Sequence, residues 1–159
     1  MSIAVEAYTA GGIVTGTLVT ELRLREVLEA GQGLPIGQGI PADDILAVVD
    51  VDPSVPVHAA WHRIKLDVGP FAIEGDLSTM PGFDPGRALT RPSGTYVHLR
   101  DAVVQLRDRP AAGSNQHPDL LVNRYAVESV DADIMLGFFF PGAVMSGLPA
   151  SASPPILGG

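Results

Sequence analysis

Three groups of side chains in this sequence have the types and spacing to do chemistry. His58 and His62 stand four apart in HAAWH, the spacing that puts two imidazoles one turn apart on a helix and that zinc sites use. Asp50 and Asp52 alternate with Val49 and Val51, so on a strand both carboxylates share a face and could hold a metal or work as an acid/base pair. Trp61, Arg63, Lys65, Tyr96, His98 and Arg100 form the third group, an aromatic–cation mixture of the kind that stacks on bases. Asp50, Asp52, His58 and His62 together define a metal-dependent enzyme reading, which requires all four to converge on one pocket.

Each group has a plainer reading. The residues around HAAWH alternate like a strand, and at strand rise the two histidines would sit about 13 Å apart, too far for one metal. HAAWH also lacks the glutamate of a HExxH motif. Asp50 and Asp52 fit a strand running out into solvent, closed by Pro53 and Pro56, with no third ligand nearby in sequence. On this reading the catalytic, cofactor and metal residues are none. GQGLPIGQG (residues 31–39) is no phosphate loop either: no Lys-Ser/Thr follows, and the dinucleotide spacing is not met.

The elements that must position these side chains are short. Of the 159 residues, 18 are Gly and 14 Pro, punctuation that suits strands and turns better than long helices. Hydrophobic residues make up 46%, enough for a buried core. Residues 2–20 read as a hairpin turning at Gly11-Gly12, and residues 58–77 as a second, longer hairpin turning at Gly69-Pro70. Residues 21–30 (ELRLREVLEA) predict a helix, with Leu24 and Leu28 on its inner face, a Glu21–Arg25 pair, and Gly31 as the stop. Residues 31–44 are a Gly/Pro-rich loop, either a lid or a connector pinned by Leu34, Ile36 and Ile40. Further strands are predicted over 45–51, 95–106 and 120–130, with a helical turn after Asp84-Pro85 and a polar, mobile stretch over 107–118. Arg100-Asp101 and Asn123-Arg124 are expected to be surface pairs near strand ends.

The chain carries an internal echo. Val5–Leu18 (VEAYTAGGIVTGTL) and Ile64–Leu77 (IKLDVGPFAIEGDL) both open apolar-x-apolar, turn on glycine and close on Gly-x-Leu, with Gly16/Gly75 and Leu18/Leu77 in common. The expected fold is therefore mainly β: two pseudo-repeated small antiparallel units, barrel- or sandwich-like, with one or two short helices. The units would span 1–57 and 58–133 and share a core. An apolar segment over 134–146 and a disordered tail over 147–159 would follow. Within the apolar segment Phe138, Phe139 and Phe140 either complete the core or dock on a partner.

The second copy resembles the Sm-like small β-barrel. FAIEGDL (71–77), then Asp84, then TYVHLRDAVV (95–104) is similar to that family's strand–Gly–strand–Asp–strand order, and LLVNRYAVESV (120–130) resembles its closing strand. The resemblance covers about residues 64–131. It implies a small barrel, RNA binding, and ring or dimer formation through strand edges. The asparagine of the family's RNA pocket has no counterpart here.

Charge narrows the partners. Ten Lys+Arg stand against 18 Asp+Glu, a net charge of −8, which repels a phosphate backbone at long range. Lys65 is the only lysine, and no cysteine is present, so disulfides, iron–sulfur clusters and thiolate zinc sites are excluded. No stretch is long and apolar enough to span a bilayer as a helix, and MSIAVEAYTAGG has no basic start or long apolar core. These features predict a cofactor-free, non-enzymatic structural or protein-interaction module of a bacterial-type cytoplasm. It would assemble with itself or another protein through strand edges and the apolar C-terminal segment. A ligand- or nucleic-acid-binding barrel is the alternative.

Overall fold

The computed structural model describes residues 2–53, 60–79, 94–132 and 140–146. Among these residues nine strands and one short α-helix follow in order: β1 Ser2–Thr9, β2 Gly12–Val19, α1 Leu24–Glu29, β3 Ala47–Val49, β4 Ala60–Val68, β5 Phe71–Thr79, β6 Tyr96–Leu106, β7 Ser114–Asn123, β8 Val127–Asp131 and β9 Val144–Ser146. All nine join in one sheet, ordered β2-β1-β3-β7-β6-β5-β4-β8-β9. The fold is mainly β, as its turn-rich composition requires. Both halves of the chain contribute to this one sheet, and β3 bridges them by pairing with β1 on one side and β7 on the other. One pair departs from the expected antiparallel pattern: β8 and β9 run parallel, Ser129 opposite Val144.

Both hairpins form, each on a two-residue turn. Val68 pairs with Phe71 across Gly69-Pro70, where Gly69 at φ 55° supplies the left-handed conformation its turn position needs. In the first hairpin Thr9 pairs with Gly12, so the turn is Ala10-Gly11, one residue earlier than the glycine pair predicts. The echoed residues occupy matching places: Val5 faces Gly16, and Ile64 faces Gly75. Both glycines lie under a neighbour. A Cβ on Gly16 would fall 2.8 Å from Ile36 Cβ, and one on Gly75 would fall 2.9 Å from Leu99 Cβ.

The sheet curls. β1 and β5 stand four strand spacings apart in the sheet order, roughly 19 Å across a flat sheet, yet the Tyr8 and Phe71 rings meet edge to face with centroids 5.0 Å apart. The inner face buries Ile64, Leu66 and Val68 of β4, Ile73 and Leu77 of β5, Val97 and Leu99 of β6, and Leu120 and Val122 of β7. On the outer face α1, the first hairpin and the following loop cover Val48, Tyr96 and Leu121 with Ile3, Val5, Leu24, Leu28 and Leu34. A switch in facing interrupts β6 and β7. Leu99 pairs with Leu120 and Ala102 with His117, while Asp101 (φ 51°) takes up the irregularity, so odd residues face inward before it and even ones after it.

Helix α1 begins at Leu24 rather than at Glu21, which leaves Glu21 outside the helix. Six residues are too few to hold a helix by propensity; its side chains fasten it to β6. Arg25 Nη2 donates to the Tyr96 carbonyl at 2.8 Å, and the Glu29 carboxylate accepts the Thr95 N–H at 2.7 Å. The loop after it is a pinned connector. Leu34, Ile36 and Ile40 are buried, and Leu34 and Ile40 exchange backbone hydrogen bonds at 2.9 and 2.8 Å.

Two predictions near the C-terminal half are corrected. The stretch over 107–118 is ordered at its end as the first half of β7, and the strand predicted over 120–130 divides into β7 and β8 around a turn at Arg124–Ala126. Asn123 and Arg124 are buried at that turn, not surface pairs. Asn123 Nδ2 donates to the Ile45 carbonyl at 3.0 Å and its Oδ1 accepts the Tyr125 N–H at 3.1 Å. Arg124 Nε donates to the Gly94 carbonyl at 2.6 Å. Phe140 is fully buried in the inner core. Phe138, Phe139, His58, the helical turn after Asp84 and the tail over 147–159 lie outside the described residues. Among the described residues no helix is long and apolar enough to cross a membrane.

Candidate functional site

Trp61, Arg63 and Lys65 alternate with the inward-facing Ile64 and Leu66 and so project from the outer face of β4. β6 brings His98 and Arg100 to the same face. The Arg100 guanidinium carbon lies 3.7 Å above the Trp61 ring, and the Trp61 and His98 rings stand edge to face at 6.4 Å. Tyr96 belongs to the same alternation but drops out of any binding face. It is 2% exposed, beneath α1, and burial pushes its phenol pKa up.

The cations on this face are already matched. Arg63 reaches Glu74 at 3.0 Å and Asp76 at 3.3 Å and donates to the Asp101 carbonyl at 2.9 Å. Lys65 lies 3.7 Å from Glu74, and Arg100 lies 3.8 Å from Asp76. The pairing follows from register. Arg63 faces Asp76 and Lys65 faces Glu74 across β4 and β5, so the central hairpin carries its own counter-charges. Asp101 adds a third carboxylate 3.9 Å from Arg100, so three cations stand against three carboxylates on this face, a balance that does not favour a phosphate backbone.

His98 is 8% exposed, with its Nε2 2.7 Å from Asp119 Oδ1. Asp50 belongs to the same neighbourhood: its backbone N–H donates to the Asp119 carbonyl at 3.1 Å, and its Oδ1 accepts the Asp52 N–H at 3.1 Å. Burial raises the Asp50 carboxyl above the ordinary carboxylate range. The nearby Asp119 charge adds to the rise, while the Asp52 N–H and the His98 and Arg25 charges oppose it.

Of the four residues of the metal-enzyme reading, the three described ones, Asp50, Asp52 and His62, do not converge; His58 lies outside the described residues. Asp52 turns to the surface and pairs with Arg23 at 3.3 Å. His62 follows Trp61 on β4 and so projects from the opposite side of the sheet to His98 and its neighbours. Among the described residues no three His, Asp or Glu side chains group to hold a metal ion.

A polar cluster that sequence reasoning did not single out lies on the inner side. The Tyr8 hydroxyl and His117 Nε2 are 2.7 Å apart, Asn115 Nδ2 donates to the same hydroxyl at 3.3 Å, and Glu6 Oε2 is 3.4 Å from His117 Nε2. Burial pushes the Tyr8 phenol pKa up, so the hydroxyl stays neutral and serves as a hydrogen-bonding post between β1 and β7. The available signal was the Glu6/Tyr8 alternation on β1. The partner, His117, sits 109 residues away from Tyr8 and is brought there by the strand order, in which only the three-residue β3 lies between β1 and β7.

One further surface stands out at the sheet's margin. Among the described strands β2 pairs only with β1 and forms one edge of the sheet; β9, at the other edge, has three residues. β2 reads GIVTGTLV, eight residues without a charge or a proline. Its outer row is Ile13, Thr15, Thr17 and Val19, all exposed, with Ile13 at 47% and Val19 at 77%. A depression of about 650 Å³ lined by Leu18, Val19, Leu22 and Val27 continues the apolar surface past its end.

No family model, curated protein or solved structure matches the chain.

Proposed function

We propose that the protein is a non-enzymatic interaction module that works by adding strands to the β2 edge. The observation that carries this reading is the unguarded chemistry of that edge. Sheet edges present a row of unpaired N–H and C=O groups, and proteins that keep them unpaired place lysine, proline, a bulge or a very short strand there. β2 has none of these. It is eight residues long, regular in register with β1 from end to end, and neutral. The Sm-like resemblance and the internal echo fit this reading, since edge pairing is how small β units commonly assemble. The Trp61 face supports ligand or nucleic-acid binding less well, because Glu74 and Asp76 already occupy its cations.

The test is to install the missing guards. Thr15→Lys with Thr17→Lys changes only exposed side chains, and circular dichroism checks that the fold is kept. Sedimentation velocity of the natural chain over a range of concentrations should show association, and the lysine variant should lose it. A natural chain that stays monomeric throughout, or a lysine variant that associates equally well, overturns the reading.

A further inference from the structure

Resting on that edge reading, we infer that the occupant of the β2 edge is a second copy of β2, paired antiparallel about a two-fold axis at Gly16. The strand is nearly palindromic about Gly16. With Gly16 opposite Gly16, the outer row matches Thr15 with Thr17 and Ile13 with Val19, and each match occurs twice across the axis. Thr–Thr and β-branched apolar pairs are among the favourable cross-strand combinations. On the inner row Val14 meets Leu18. A slip of one residue would set the outer Thr and apolar positions of one copy against the inner Val14, Gly16 and Leu18 of the other, so alternation excludes odd registers; among the even ones, Gly16 opposite Gly16 is the register that pairs Thr15 with Thr17 and Ile13 with Val19 together.

The neutrality of the strand points the same way. Each copy carries a net charge of −8, so two copies repel over most of their surfaces. β2 is a place where two copies can meet without opposing like charges. An edge built for a foreign strand would be expected to carry charges that specify that partner, whereas this one carries only self-complementary pairs. Screening the repulsion should tighten the dimer, so association should strengthen as salt rises from low to physiological concentration.

The chain has no cysteine, so an introduced pair reports the register without background. In the inferred dimer a thiol at position 15 faces position 17 of the other copy. The double variant Thr15→Cys/Thr17→Cys, mildly oxidised, should therefore run as a covalent dimer on a non-reducing gel, while each single variant stays monomeric there. Circular dichroism confirms that all three are folded. A double variant that stays monomeric on the gel, or a single variant that cross-links as efficiently, overturns the two-fold pairing at Gly16. If the lysine variant has nonetheless lost association, the edge reading stands and the second copy pairs in another register. If lysine leaves association unchanged, the edge reading itself has failed.

Discussion

Gly75→Ala should destabilise the fold by about 1–2 kcal/mol, and more than the matching change at Gly16. Gly75 has no positive φ, so its backbone would accept alanine; space is the obstacle. The new methyl would lie 2.9 Å from Leu99 Cβ, 3.2 Å from Leu99 Cδ1 and 3.4 Å from the Arg100 carbonyl. Leu99 is fully buried on β6, which is held by β5 on one side and β7 on the other, so neither backbone can easily retreat. Overpacking of this kind costs about 1–3 kcal/mol. Loss of the glycine's freedom in the unfolded chain offsets about 0.4–1 kcal/mol of that. The remainder corresponds to a fall in melting temperature of about 3–6 °C for a chain of this size. At Gly16 the obstructing residue is Ile36, 2.8 Å away, but it sits on the connector between α1 and β3, which can shift without breaking a strand ladder. Gly16→Ala should therefore cost under about 1 kcal/mol by the same reasoning. Urea unfolding followed by the fluorescence of Trp61, the only tryptophan, measures both, provided the slopes match that of the natural chain. An alanine at 75 that leaves the midpoint unchanged or raises it, or a larger loss at 16 than at 75, would refute the argument.

Two other expectations concern buried groups. Because burial raises the Asp50 carboxyl, the native state holds its proton to higher pH than the unfolded chain does. The native state therefore loses stability as pH rises from about 4 through the raised value. Asp50→Asn, which keeps an acceptor for the Asp52 N–H, should raise the urea midpoint at pH 7, and the gain should shrink as pH falls toward 4. A constant gain, or a loss at pH 7, would count against the burial argument. Phe140→Ala should cost about 3–5 kcal/mol, since Phe140 is fully buried in the inner core. Normal stability with weakened association would instead mark it as a docking residue.

Local features were readable from the sequence. The turn over Gly69-Pro70, the helix face of Leu24 and Leu28 and the strand over 95–106 each depend on residues within a few positions of one another. The outer placement of Trp61, Arg63 and Lys65 followed from simple alternation. The fate of that face did not. Glu74 and Asp76 became its counter-charges through the pairing of β4 with β5, and Tyr96 was removed from it by α1, an element over sixty residues away in sequence. The polar stretch before Pro118 looked mobile because its residues have low strand propensity, yet pairing with β6 recruits it into β7.

By itself the sequence determined that the chain builds hairpins and that a few residues of helix suffice; that Gly16 lies under Ile36 and Gly75 under Leu99 was decided by the tertiary structure. The sequence also determined that β2 is neutral and nearly palindromic. Only the tertiary structure decided that β2 is an edge, that β3 joins the two hairpin systems into one sheet, that β8 and β9 run parallel, and that Tyr8 meets His117. The physical reason is the period of the strand. Alternation tells which residues share a face, but which face and which neighbour depend on register and strand order. Those are set by contacts across the whole chain, and one irregularity such as Asp101 exchanges inner and outer residues for the rest of the strand.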